Sequence, residues 1–217
     1  MVRRPGQRLL ILGTRSQALD IADLVNEIPG FEVAGFVENW DRERCQGGLD
    51  GLPVYWVDDL KELATSHWAV GGLATTERRA FIEQAAACGL RFATLVHPSA
   101  SVSTRAKIGQ GSVISRNVAV GRDAVIGPHV FLNRGVLVGH HTAIGQYSTL
   151  GPGANVAGMC EVGSGVFIGI GAIVLERLRI GDGAFVTARA LVTKDVPDHT
   201  QVAGAPARVI RRDIAGH

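Results

Sequence analysis

Aliphatic residues recur at every sixth position over nearly half of the chain. From Val96 to Val192, seventeen consecutive sixth positions hold Val, Ile or Leu, and nine of them are followed directly by Gly, as in Val138-Gly139. Many hexads also place a small or medium residue, such as Thr142 or Ser148, four positions after the aliphatic one. A period of six is typical of a β-helix, in which each short strand turns a corner and stacks on the coil before it. Three hexads then make one coil of eighteen residues, with the aliphatic residue of each face pointing inward.

The first ninety residues have a different pattern, in which strand-like and helix-like segments alternate. The predicted elements are a strand at 9–12, a helix with apolar residues 18, 21, 22, 24 and 25 on one side, a strand at 31–37, a short helix at 60–63, a strand at 68–71, a helix at 75–88 and a last strand at 92–96. Such alternation favours a small parallel sheet flanked by helices. We therefore expect a Rossmann-like α/β domain over 1–95 and a parallel β-helix of hexapeptide repeats, with a C-terminal tail, over 96–217.

Composition and charge exclude several classes of function. The net charge is +2 and only 19% of the residues are charged, which argues against nucleic acid or a membrane surface as the main partner. No apolar run approaches the ~18 residues that a spanning helix needs, and the first residues do not resemble a signal peptide. The three cysteines have no metal-ligand spacing, so we expect reduced thiols and a cytoplasmic location. The seven histidines form no credible metal cluster, and we predict no catalytic metal.

One coil carries a sequence motif with a specific resemblance. Residues 137–145, Leu-Val-Gly-His-His-Thr-Ala-Ile-Gly, resemble the catalytic coil of left-handed β-helix acyltransferases. The chain also has the α/β domain, a bridge at 95–100 and a late Gly-Ala-Pro-Ala-Arg at 204–208. With these features it resembles the bacterial hexapeptide-repeat sugar O/N-acetyltransferases of the NeuD, PglD and PerB type. The resemblance extends from about residue 8 to residue 208. The resemblance implies a left-handed helix and a homotrimer that binds acetyl-CoA between neighbouring prisms, with a nucleotide-linked sugar on the N-terminal domain.

The function that this resemblance implies is acetyl transfer from acetyl-CoA to an amino group of a sugar, as in the synthesis of surface polysaccharides or glycans. A sugar O-acetyltransferase of the sialic-acid type is the close alternative. A non-catalytic trimeric protein that binds a sugar nucleotide is an alternative from another class.

The resemblance places the general base at His140, two residues after the inward Val138. Imidazole suits the removal of a proton from an attacking amine because it titrates near neutral pH. Adding one coil of eighteen residues gives Gly158, whose backbone N–H would stabilise the oxyanion. A surface histidine and an ordinary corner glycine are the simpler interpretations of these two residues.

His141 departs from the pattern, because relatives usually have Glu or Asp directly after the catalytic histidine to orient the imidazole. Subtracting one coil from His141 gives Asp123. We hypothesise that Asp123, or a carboxylate of a neighbouring subunit, takes over the orienting role. The alternative is that His141 faces solvent and His140 works alone.

The remaining site residues follow from the resemblance alone. In the N-terminal domain the relatives have a G-x-G-G-H stretch. This chain keeps Gly13 but has Ser16 and Gln17 where Gly and His are usual. Glu38-Asn39 and Gly71-Gly72 end the second and third strands, where an ordinary turn is the more common role of such residues. The substrate-binding residues implied there are Gly13, Thr14, Arg15, Glu38, Asn39 and Gly72, with Asn133 in the β-helix. The residues implied to contact CoA are Gly158, Ile170, Gly171, Ala188, Lys194, Gly204 and Arg208.

Overall fold

The computed structural model describes residues 6–76 and 78–214. The chain divides into two compact units between Leu95 and Val96. In the described ranges, no helix is both long and apolar enough to cross a membrane.

The first unit is a five-stranded parallel sheet with the strand order β3-β2-β1-β4-β5. Its elements are β1 (Gln7–Leu12), α1 (Ser16–Asn26), β2 (Phe31–Glu38), a 3-10 helix (Arg42–Cys45), β3 (Val54–Trp56), a second 3-10 helix (Val57–Glu62), β4 (Trp68–Gly71), α2 (Arg78–Ala87) and β5 (Arg91–Phe92). The predicted α/β class is confirmed. The central strand β1 is buried from Leu9 to Leu12, as expected of a parallel strand covered on both faces.

Two details of this unit differ from the sequence prediction. The strand β3 was missed, because three residues are too short to show a period of two. The predicted strand over 92–96 is divided, since Arg91–Phe92 closes the first sheet and Leu95–Val96 is the first strand of the second unit.

The second unit is a parallel β-helix, as the six-residue period predicted. Most of its strands have two residues and lie on three faces, in sheets of six, five and eight strands. The strands are β6 (Leu95–Val96), β7 (Ser101–Val102), β8 (Lys107–Ile108), β9 (Val113–Ile114), β10 (Ala119–Val120), β11 (Val125–Ile126), β12 (Phe131–Leu132), β13 (Leu137–Val138), β14 (Ala143–Ile144), β15 (Thr149–Leu150), β16 (Asn155–Val156), β17 (Glu161–Val162), β18 (Phe167–Ile168), β19 (Ile173–Val174), β20 (Arg179–Ile180), β21 (Phe185–Val186), β22 (Leu191–Val192), β23 (Gln201–Ala203) and β24 (Arg208–Arg211).

Strand pairing fixes the length of each coil at eighteen residues. Val120 pairs with Val138, and Val138 pairs with Val156. All fourteen hexad residues from Ile114 to Val192 are buried. The first hexad residue, Val96, is 38% exposed, because the first coil has no coil stacked before it. The hexad residues therefore form the continuous core that the sequence predicted.

The last coil is shorter than the others. Phe185 pairs with Gln201, sixteen residues further on, and Ile180 bridges Val196 at the same separation. The chain then turns back, and β24 runs antiparallel to β23 at the edge of the eight-stranded sheet.

Candidate active site

The corner between β13 and β14 holds the two consecutive histidines. Backbone hydrogen bonds stack this corner on its neighbours: the His141 N–H donates to the Arg122 carbonyl and the Met159 N–H donates to the His140 carbonyl, both at 2.9 Å. His141 has a φ of 57°, a left-handed conformation that histidine adopts more readily than most residues. The turn directs both imidazoles to the surface, where they are exposed.

The imidazole of His140 lies against Gly158, one coil further on. A Cβ atom added to Gly158 would be 2.8 Å from Nε2 and 2.9 Å from Cε1 of His140, so only glycine leaves room for the ring in this position. The described chain offers no acceptor to the N–H of Gly158. At another corner of the prism, the equivalent N–H of Ser164 donates outward to a carboxylate oxygen of Asp182 at 2.7 Å. Since this N–H position can bind an anionic oxygen, the Gly158 N–H can serve as a donor beside the imidazole.

The second histidine connects the first to a carboxylate on the preceding coil. The Nδ1 atoms of His140 and His141 are 3.0 Å apart, with their rings nearly perpendicular. On the other side of its ring, Nε2 of His141 is 3.5 Å from Oδ2 of Asp123. This separation is an electrostatic contact and exceeds the length of a good N–H···O bond.

Two arginines hold Asp123 in place. Nε of Arg105 donates to Oδ1 of Asp123 at 2.8 Å, and Nε of Arg122 donates to Oδ2 at 3.1 Å. The hydrogen bond from Arg105, together with that from Arg122, holds the pKa of Asp123 below its ordinary value. Asp123 is therefore a fixed anion at neutral pH. Sequence reasoning missed Arg105, which lies eighteen residues before Asp123 in the same stacking position.

A buried hydroxyl beneath this corner was also missed. The Thr142 side chain is fully buried, and its Oγ1 donates to the Ala157 carbonyl at 2.7 Å and accepts from the Cys160 N–H at 3.2 Å. These two backbone groups flank Gly158. The signal was present in the sequence as the small polar residue at the fourth position after the inward Val138. Ser148 makes the same pair of bonds at a corner without histidines.

Cys160 itself is 1% exposed, and its Sγ lies 3.1 Å from the Leu175 carbonyl. Burial raises the pKa of its thiol. Both observations fit packing and argue against a nucleophilic role.

Several residues implied to bind CoA or sugar lie at a different edge of the prism. Asn133 follows β12, Ile170 and Gly171 follow β18, and Ala188 follows β21, whereas His140 follows β13. The first three strands belong to the eight-stranded face of the prism and β13 belongs to the six-stranded face. Asn133 is also 9% exposed, and its Oδ1 accepts from the Arg134 N–H at 2.8 Å. One chain therefore does not bring these residues to the two histidines.

Lys194 and Arg208 do come together. Both line a cavity of about 230 Å³ at the end of the β-helix. Lys194 shares the column of His140, three coils further on, which is ~14 Å at the usual strand spacing. Gly204, before the cis peptide bond of Ala205-Pro206, has its carbonyl bonded to the Leu191 N–H at 2.9 Å. Asp195 lines the same cavity, and its Oδ1 accepts a hydrogen bond from the Arg179 N–H at 2.9 Å.

The candidate residues of the first unit meet at the carboxyl edge of its sheet. The Thr14 hydroxyl donates to Oε2 of Glu38, while Oε1 of Glu38 accepts from the N–H groups of Asn39, Trp40 and Asp41. Burial raises the pKa of Glu38, but the hydrogen bonds from Thr14 and the backbone outweigh burial and lower it. Thr14 and Glu38 thus bind each other and the loop rather than presenting free polar groups.

The other candidate residues at this edge differ in their exposure and in their hydrogen bonds. The Asn39 amide donates to Gln84 of α2 at 3.2 Å. A Cβ atom on Gly72 would be 2.6 Å from the Ile11 side chain, so this glycine allows close packing next to Gly13. Arg15 is exposed and begins α1 without a side-chain cap. The Trp40 side chain, which sequence reasoning missed, is 87% exposed. A cation and an indole are therefore the groups open to a ligand.

Within the two described ranges, no group of three or more His, Cys, Asp or Glu residues could hold a metal ion.

Comparison with solved structures reveals close relatives over nearly the whole chain. The acetyltransferase domain of PglB from Neisseria gonorrhoeae FA1090, in complex with acetyl coenzyme A, has a TM-score of 0.87 and 28% identity, covering 95% of this chain and 100% of that one. PerB from Caulobacter crescentus, in complex with CoA and GDP-perosamine, has a TM-score of 0.85 and 27% identity, covering 95% and 98%. WeeI from Acinetobacter baumannii AYE has a TM-score of 0.84 and 25% identity, covering 93% and 99%.

The resemblance that the sequence indicated is thus confirmed, and the chain has the architecture of solved acetyltransferases that include the perosamine N-acetyltransferase of Caulobacter crescentus. No protein-family model matches the chain, and a search of curated proteins finds no match.

Proposed function

We propose that this protein transfers the acetyl group of acetyl-CoA to an amino group of a nucleotide-linked sugar. The observation that carries the proposal is the pairing of an exposed imidazole, His140, with the available N–H of Gly158 one coil away. The similarity to acetyltransferases solved with acetyl coenzyme A, or with CoA and GDP-perosamine, supports the choice of substrates.

The reaction uses His140 first as a base and then as an acid, and the Gly158 N–H as a hydrogen-bond donor. Nε2 of His140 accepts a proton from the sugar amine as its nitrogen attacks the thioester carbonyl. The carbonyl oxygen becomes an oxyanion, which accepts a hydrogen bond from the Gly158 N–H. The C–S bond then breaks, and the proton on His140 passes to the departing sulfur. The products are the sugar acetamide and CoA with a free thiol, and His140 is neutral again.

A trimer would complete the site. Leu137 and Ile173 face outward on the sheet that leads to the histidine corner, and they are 44% and 42% exposed. Asn155 lies between them on the intervening strand. Exposed large apolar side chains on a rigid face are typical of a subunit interface. The residues on the other edge, of which Ile170 is 59% exposed, would then reach His140 from a neighbouring subunit and line the acetyl-CoA groove. Sedimentation equilibrium should give three times the chain mass of 22.9 kDa, and a monomer would contradict this arrangement.

Binding of the two substrates follows from charge and exposure. Lys194 and Arg208 would contact the phosphates of CoA, since they are the cations at one cavity. Arg15 and Trp40 would contact the phosphates and the base of the sugar nucleotide at the first unit. Thr14, Glu38 and Asn39 would shape that edge without reading the ligand.

The test is release of free thiol from acetyl-CoA in the presence of UDP-, GDP- and dTDP-linked amino sugars. We expect turnover with at least one amino sugar and a loss of 10²-fold or more in the His140→Ala variant, the usual size of a general-base effect. Turnover only with a hydroxyl acceptor, such as sialic acid, would make the enzyme an O-acetyltransferase. Binding of sugar nucleotides without thiol release from any acceptor would overturn the enzymatic proposal.

A further inference from the structure

The arrangement of the histidine pair determines which nitrogen of His140 can act as the base. We propose that Asp123 and His141 are positioning residues that place a proton on Nδ1 of His140 and keep its Nε2 free. This inference rests on the proposed role of His140. It is based on the two contacts of His141, at 3.0 Å to Nδ1 of His140 and at 3.5 Å to Oδ2 of Asp123.

The assignment follows from the donor and acceptor capacities of the three groups. An ionised carboxylate attracts an N–H and repels a nitrogen lone pair, so the Asp123 charge 3.5 Å away favours a proton on Nε2 of His141. In a neutral imidazole only one nitrogen is protonated, and Nδ1 of His141 is therefore an acceptor. The Nδ1 of His140 must then be the donor of the short contact between the rings. This leaves the lone pair on Nε2 of His140, the ring atom that would lie nearest to a Cβ atom built on Gly158.

The two arginines make this order of protons stable. Arg105 and Arg122 each donate to a different oxygen of Asp123, which keeps the carboxylate ionised and fixes its plane. If Asp123 were neutral, the negative charge that favours a proton on Nε2 of His141 would be lost. His141 could then donate from Nδ1, and His140 would carry its proton on Nε2, where it blocks the base.

The tautomer can be measured without any substrate. Long-range ¹H–¹⁵N spectra of imidazole-labelled protein distinguish Nδ1–H from Nε2–H, and the seven histidines of the chain can be assigned by single substitution. Near pH 8 we expect His140 as the Nδ1–H tautomer in the wild type and a mixture dominated by Nε2–H in Asp123→Asn. Wild-type His140 with its proton on Nε2 would overturn the inference, whatever the enzymatic activity.

Kinetics provide the second test, with variants that separate positioning from folding. Asp123→Asn and His141→Leu should each lower kcat about 10- to 100-fold, with KM for both substrates within about threefold, because a wrong tautomer removes the base and not the binding contacts. The pH profile of kcat/KM should also differ from the wild type in Asp123→Asn, because the substitution removes the negative charge beyond His141. His141→Gln should recover most of the rate, because its amide can accept from His140 and donate to Asp123.

The matched control is Asp182→Asn, a carboxylate at another corner that binds the Ser164 backbone and should leave kcat and the pH profile unchanged. An Asp123→Asn enzyme with wild-type kcat and pH profile would refute the positioning role while leaving the proposed function intact. Failure of the proposed function is seen separately, as absence of thiol release in the wild type.

Discussion

The buried hydroxyl of Thr142 gives the sharpest prediction about how the fold supports the site. Thr142→Val removes an oxygen that donates to the Ala157 carbonyl at 2.7 Å and accepts from the Cys160 N–H at 3.2 Å. Leaving a buried polar group without a partner costs about 1–3 kcal/mol. With two groups affected, we expect the free energy of unfolding to fall by roughly 2–4 kcal/mol.

Activity should fall as well, because the two backbone groups flank Gly158. A lost oxyanion donor lowers kcat about 10²–10³-fold, and a donor that is only displaced should cost less. We therefore expect kcat of Thr142→Val to fall about tenfold, with Thr142→Ser close to the wild type.

The chain contains its own control for this prediction. Ser148→Ala removes a hydroxyl that makes the same bonds, to the Gly163 carbonyl at 2.8 Å and from the Val166 N–H at 3.0 Å, at a corner without histidines. Urea unfolding should show a comparable loss of stability in both variants, and thiol release well below the unfolding temperature should be reduced only in Thr142→Val. Equal kcat in the two variants would refute the reasoning, as would a Thr142→Val protein as stable as the wild type.

Three further predictions concern other parts of the molecule. Gly158→Ala should lower kcat on the order of 10- to 100-fold, because the new Cβ would lie 2.8 Å from Nε2 of His140 and displace that ring. Stability should change little, since only this exposed ring must move. Unchanged thiol release would contradict the contact between His140 and Gly158. Trp40→Ala should raise the KM for the nucleotide sugar about tenfold without changing kcat, because stacking of a base on an aromatic ring is worth ~1–3 kcal/mol. Trp40→Phe should keep a KM near that of the wild type, since it keeps an aromatic surface. Equal KM values in the wild type and both variants would disprove the stacking contact. Burial lowers the pKa of His67 from its ordinary 6.5, so the folded state holds this ring neutral. The contribution of the neutral His67 ring to stability should be complete above pH 6.5 and be lost as the pH falls below it. The free energy of unfolding of His67→Gln should therefore depend less on pH below 6.5 than that of the wild type. The same pH dependence in both proteins would exclude His67 as the cause of the loss of stability in acid.

The sequence predicted the β-helix well because one inward residue per hexad carries the fold. Every hexad residue from Ile114 to Val192 is buried. The six-residue period predicts this burial from the order of residues alone, without information on contacts between distant parts of the chain. The short strand at Val54–Trp56 has no such period, and its pairing with β2 depends on the rest of the sheet.

The site was predictable only where the stacking of coils determines it. The eighteen-residue interval led from His140 to Gly158 and from His141 to Asp123, and the structure brings both pairs into contact. It could not show that Arg105 binds Asp123, because that bond depends on the rotamer of a long side chain. Nor could it show that Thr14 and Glu38 would bind each other, since residues of two strands meet only in the folded sheet.

The shortened last coil shows what the fixed coil length means for changes in the gene. A coil of sixteen residues is tolerated after Val192, beyond the last turn that contributes to the histidine corner. Between Asp123 and Gly158, the loss or gain of a single codon would rotate every later residue away from its partner on the next coil. In that segment the number of codons is fixed by the stacking of the coils, and we expect tolerated insertions and deletions to cluster outside it.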